Sequence, residues 1–163
     1  MPEEEQKYSV LFCCLGNICR SPMAEAVFAN MVKRSQLSHR FDRIDSCGTA
    51  GYHVGETPDE RTVAQCKAEG VPISCKARQV RKEDFEEFTH IVAMDKQNVQ
   101  NLRKVQPKGS RAVLLMFGEV DDGEPIRDPY YGLSGFDEVF KQCTRYSAAM
   151  LRWLGMNPTS AQL

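Results

Sequence analysis

The chain has 163 residues, with 21 Lys and Arg against 22 Asp and Glu. A net charge of −1 gives no long-range field for polyanions and excludes nucleic acid as a general partner. The length suits one buried core, hence a single domain over residues 8–156 with tails at 1–7 and 157–163. Seven cysteines, odd in number and irregularly spaced, argue against a paired disulfide framework and for a reducing compartment. The acidic start MPEEEQK is unlike a secretory leader, and the apolar run Val10 to Leu15 is too short for a membrane span. A soluble, cytoplasmic protein without a membrane partner is therefore expected. His39, His53 and His90 lie far apart and no C-x-x-C occurs, so neither a metal nor another cofactor is expected.

In chain order, YSVLFC at 8–13 is a short β-favouring apolar run and reads as a buried strand. A helix follows, with Ser21 as the expected N-cap, Pro22 at its first position, and Met23, Ala24, Val27, Phe28 and Met31 on one face. FDRIDSC at 41–47 is a weaker strand, followed by a glycine-marked loop and a polar helix over 59–69 that Gly70 ends. HIVAMD at 90–95, a helix over 96–105 and AVLLMF at 112–117 continue the alternation. Residues 119–135 read as loop, and a helix with Phe136, Val139, Phe140, Cys143, Tyr146 and Met150 on one face closes the chain over 136–154. This alternation predicts an α/β fold, an open parallel sheet with helices on both faces. Ligands in such sheets bind beyond the strand C-termini.

The loop CLGNICRS at 14–21 lies where that rule puts a site. Cysteine, five residues, then arginine is common by chance; CKARQVR at 75–81 has the same spacing with no glycine, strand or capped helix around it, and is read as coincidence. Around Cys14 the context differs. Gly16 relaxes the backbone and Asn17 tolerates a left-handed conformation, so successive amides can form an anion cradle. The helix N-terminus points into the same space, and Arg20 offers a planar fork to phosphate oxygens. These features also favour a thiolate, which makes Cys14 a candidate nucleophile. Cys13 faces the other side of its strand. A thiolate that displaces a phosphoryl group needs an acid for the leaving oxygen and then a base for water. Asp128, in RDPYYG, could serve both steps or could simply start a turn, and the residues alone leave the two readings open.

VLFCCLGNICRSPMAEAVF at 10–28 together with DPYYG at 128–132 resembles the low-molecular-weight protein tyrosine phosphatases (acid phosphatases), nearest to their fungal members. The similarity runs from Val10 to Leu154 through DSCGT at 45–49, HVGETPDERT at 53–62, AMD at 93–95 and GSRA at 109–112. It implies a four-stranded parallel sheet with the phosphate-binding loop after its first strand, no cofactor, and a phosphocysteine on Cys14. It also implies Arg20 as phosphate ligand and Asp128 as general acid and base. The implied substrates are phosphotyrosine proteins or small aryl phosphates, with inorganic phosphate as product and inhibitor, and the implied state is a monomer or weak homodimer. Leu15, Gly16, Asn17, Ile18 and Cys19 are expected at the substrate, with Tyr52, Tyr130 and Tyr131 at the pocket wall or in ordinary loop packing. Ser21 and Ser46 are expected to support the loop. The resemblance favours Cys19 as redox partner of Cys14 over a purely packing role. Cys13 stands where many members have valine, and Cys75 where animal members have a histidine that supports the loop.

Neighbouring chemistries fit less well. Arsenate reductases with this loop need relay cysteines, and none occurs between Met94 and Lys141. Resemblance to bacterial protein arginine phosphatases would place a threonine where Ile18 stands. A binding module without turnover would not need both Cys14 and Asp128.

Overall fold

The computed structural model describes residues 5–130, 132 and 135–159. Its four strands, β1 (Tyr8–Cys14), β2 (Phe41–Gly48), β3 (His90–Ala93) and β4 (Val113–Met116), form a parallel sheet in the order β2-β1-β3-β4. The helices are α1 (Arg20–Arg34), α2 (Glu60–Ala68), a short α3 (Asp84–Glu87), α4 (Lys96–Val105) and α5 (Phe136–Trp153). The expected α/β architecture is the one observed.

β1 explains why the sheet is covered twice. All seven of its residues are buried, and they alternate between two cores, as the period of two in a strand requires. Tyr8, Val10, Phe12 and Cys14 join a large cluster with Met23, Phe28, Phe117 and Tyr146. Leu11 and Cys13 join a smaller one with Cys47, Phe85, Ile91 and Leu102. Phe12 anchors the first face, with ring centroids 5.4 Å from Phe28 and 5.1 Å from Phe117. Cys13 therefore points away from the loop that follows, in register with Cys47.

Element boundaries differ from expectation in instructive places. The polar helix occupies Glu60–Ala68, with the Asp59 carboxylate accepting from the Arg61 amide as its N-cap, and Gly70 (φ 71°) follows its end. β3 stops at Ala93 because Asp95 caps α4, its side chain accepting from the Asn98 amide at 2.8 Å. α3 has four residues, too few for a periodic pattern to register. Among the described residues no helix is long and apolar enough to cross a membrane.

Candidate active site

β1 ends at Cys14 and α1 begins at Arg20, so five residues turn between the strand and the helix N-terminus. The turn is possible because Asn17 adopts a left-handed backbone (φ 58°), which its short polar side chain tolerates. Gly16 serves another purpose than the expected backbone freedom. It does not take a positive φ; a Cβ there would lie 2.9 Å from His53 Cδ2, so glycine leaves room for the His53 ring to approach. The Asn17 amide donates to Cys14 Sγ at 3.3 Å. Among the described residues no acceptor faces the amides of Leu15, Gly16, Ile18 or Cys19.

Ser21 is not the helix N-cap. The cap position belongs to Cys19, without a side-chain cap bond, because the Ser21 hydroxyl is committed to the loop. Asn17 Nδ2 donates to Ser21 Oγ at 2.9 Å, which leaves the hydroxyl proton for Cys14 Sγ at 3.1 Å or the Cys47 carbonyl at 3.3 Å. Asn17 Oδ1 in turn accepts from the Arg78 amide at 3.0 Å. Ser46 touches the loop less directly than expected: its hydroxyl donates to Glu25 of α1 at 2.7 Å. Burial pushes the Glu25 carboxyl up to about 7 against the opposing Ser46 bond. Burial, followed by the nearby Glu25, takes the Cys75 thiol up to about 12.

Arg20 is 2% exposed. Its Nη1 donates to Asp95 Oδ2 at 2.5 Å and to the Ile126 carbonyl at 2.9 Å, which fixes the plane of the guanidinium. Nη2 stands 3.6 Å from Asp128 Oδ2, and Nε is buried with no partner among the described residues. Burial works against the Arg20 charge, but the Cys14 sulfur, Asp95 and Asp128 outweigh it and raise its pKa. Asp128 is partly exposed and accepts the Tyr130 amide at 3.1 Å. Cys14, Leu15, Gly16, Ile18, Cys19, Arg20, Tyr52, Asp128 and Tyr130 line one cavity of about 70 Å³. Larger clefts exist, such as one of about 710 Å³ between α1 and α5, but the small one is where a thiol, a buried guanidinium and a carboxyl meet. Of the expected residues Tyr131 lies outside those described.

A strand–loop–helix cradle with this thiol, guanidinium and carboxyl is what the resemblance led one to expect, and direct comparison decides the matter. Residues 9–158 match the family model described as low molecular weight phosphotyrosine protein phosphatase. The chain belongs to this family. It is 48% identical to the low molecular weight phosphotyrosine protein phosphatase of Saccharomyces cerevisiae over 93% of this chain and 98% of that protein. The figure is 44% for the protein of that name from Homo sapiens, over 91% and 96%. A crystal structure of a protein tyrosine phosphatase from Entamoeba histolytica, with Hepes in its active site, superposes with a TM-score of 0.85 at 31% identity, covering 91% of this chain and 97% of that one.

In this phosphatase, sequence reasoning missed several residues of the site. Asp95, which orients Arg20, follows β3 and so obeys the same strand-end rule that located the loop. His53 lines the cavity and holds Glu56 through Nδ1 at 2.5 Å; only its place in HVGETPDERT hinted at it. Asp59 and Arg61 tie the two halves of the site together. The Asp59 amide donates to the Ile18 carbonyl at 2.8 Å and its carboxylate accepts from Arg61 Nε and Nη2, both at 3.0 Å. Arg61 donates onward to the carbonyls of Tyr130 at 3.0 Å and Gly132 at 2.7 Å. The Asp59 charge also acts on the Cys19 thiol. Burial first, then Asp59, pushes that thiol up to about 12.

Proposed function

We propose that this phosphatase hydrolyses phosphotyrosine in proteins, and small aryl phosphates, through a phosphocysteine on Cys14. The observation that carries the reading is Arg20 Nε, buried without a partner beside a thiol and a carboxyl in one small cavity. A phosphoryl group seated there would receive Nε and Nη2 of Arg20 and the amides of Leu15, Gly16, Ile18 and Cys19, donors that suit the equatorial oxygens of the transition state. Cys14 Sγ attacks phosphorus while the bond to the phenolic oxygen breaks, and Asp128 gives that oxygen its proton. Water then attacks the phosphocysteine, losing a proton to Asp128 as the sulfur departs, and inorganic phosphate is released. Ser21 Oγ, 3.1 Å from Sγ, stabilises the sulfur as it leaves.

Ile18, Leu15, Tyr52 and Tyr130 give the mouth an apolar wall suited to a phenyl ring. A neighbour described as a Drosophila arginine phosphatase, 29% identical with a TM-score of 0.83, makes phosphoarginine the competitor to test; the apolar Ile18 side chain favours the aryl ester. We further assign Cys19 as the thiol that traps an oxidised Cys14 as a disulfide. The deciding assay is turnover of an aryl phosphate and of phosphoarginine in the presence of chelator. Wild type should turn over the aryl ester with the higher kcat/KM and Cys14→Ser should be inactive; full activity in Cys14→Ser would sink the mechanism.

A further inference from the structure

Asp128 sits in a stretch between Val120 and Phe136 whose described residues form no helix or strand. Side-chain packing anchors it at Ile126, which is fully buried in the main core, and at Pro129, which is also buried. Beside Asp128 itself an open cleft of about 650 Å³ lies against α5, lined by Pro125, Asp128, Val139 and Gln142 among others. Asp128 itself projects between those anchors, and hydrogen bonds complete its positioning: the Ile126 amide donates to the Met94 carbonyl at 2.9 Å, and two further groups flank it. Downstream, Arg61 holds the carbonyls of Tyr130 and Gly132. Upstream, α5 holds the chain at 122–125: the Tyr146 hydroxyl donates to Asp122 Oδ1 at 2.6 Å and reaches the Glu124 carbonyl at 3.4 Å. Gln142 Nε2 donates to the Pro125 carbonyl at 3.2 Å and to Tyr146 Oη at 3.4 Å. Asp122 Oδ1 also accepts the Glu124 amide at 2.9 Å. Ile126, two residues before Asp128, is the carbonyl that Arg20 grips.

Tyr146 is well suited to be the fixed point. It is 0% exposed, and its ring stands edge-on to Phe117 at 5.6 Å, which packs on Phe12 of β1. Its hydroxyl is thus referenced to the central strand that also carries Cys14. Burial, with Asp122 adding to it, holds the phenol up at about 12, so it remains a donor throughout the neutral range.

We propose that Tyr146 and Gln142, acting on Asp122 and Pro125, are positioning residues that register the Asp128 carboxyl with the leaving oxygen. The inference rests on the assignment of Asp128 as general acid. Shifts near 1 Å in a reacting group can cost on the order of 10²-fold, and release of one of several clamps should cost less.

The test is Tyr146→Phe, which keeps the ring and deletes the hydroxyl, read by single-turnover phosphoryl transfer across aryl and alkyl phosphates. Transfer from esters with poor leaving groups should slow roughly five- to twentyfold, while p-nitrophenyl phosphate, which needs little protonation, stays within about twofold. In an Asp128→Ala background the substitution should add nothing. Gln142→Met, which keeps volume, should give a smaller loss of the same form and carries the test should Tyr146→Phe not fold. A uniform loss across leaving groups, no loss in any ester, or a loss that persists without Asp128 overturns the positioning role while leaving the acid assignment intact. If Asp128→Ala alone lacks leaving-group dependence, the acid assignment fails and the positioning role falls with it.

Discussion

Arg20→Lys separates the charge of Arg20 from its shape. Nη1 is consumed by Asp95 and the Ile126 carbonyl, and this aims Nε and Nη2 as a pair at the cradle. A lysine ammonium keeps the charge but not two parallel donors in a fixed plane. Hydrogen bonds to charged groups contribute about 1.5–3 kcal/mol each, so loss of one donor and misalignment of the other should cost about 2–4 kcal/mol. At 1.36 kcal/mol per decade that is roughly 30- to 1,000-fold in kcat/KM. Arg20→Ala should lose more, and should bind inorganic phosphate less tightly than Arg20→Lys. The assay is steady-state hydrolysis of an aryl phosphate with phosphate inhibition constants. Circular dichroism should run alongside, because Arg20 is also half of a largely buried ion pair with Asp95. A folded Arg20→Lys within threefold of wild type in kcat/KM would refute the reasoning, since charge alone would then suffice.

Asp128→Ala should slow single-turnover transfer by up to about 10²–10⁴-fold for poor leaving groups and much less for p-nitrophenyl phosphate; equal losses for all esters would make its role structural. Glu25 predicts a pH dependence of stability. Its carboxyl moves from 4.5 to about 7 in the fold, so between those values the native state binds more protons than the unfolded chain, and stability falls as pH rises. Relative to Glu25→Gln, wild type should lose up to about 3 kcal/mol over that window in urea titrations at stepped pH, and identical slopes would exclude the effect. Peroxide should inactivate the enzyme reversibly and phosphate should protect it, whereas Cys19→Ala should keep activity but recover poorly on thiol treatment. Peptide mapping that joined Cys14 to Cys13 or Cys75 would contradict this.

The amino-acid sequence by itself determined the order of elements and the place of the cradle. Apolar runs at Tyr8, His90 and Val113 and a helical stripe from Met23 to Met31 are local patterns, and local patterns survive without a partner. Cys14, Asn17 and Arg20 were legible because one turn of chain holds them together. Only the tertiary structure decided how the rest meets them. Asp95 is 75 residues from Arg20 and Arg61 is 69 from Tyr130, separations that no periodicity encodes. Ser21 shows the same limit at short range, since the order Ser-Pro signals an N-cap, yet its hydroxyl is drawn to Cys14 and Asn17. A cap is settled by competition among acceptors, and here the competitors exist only once β1, β2 and α1 have come together.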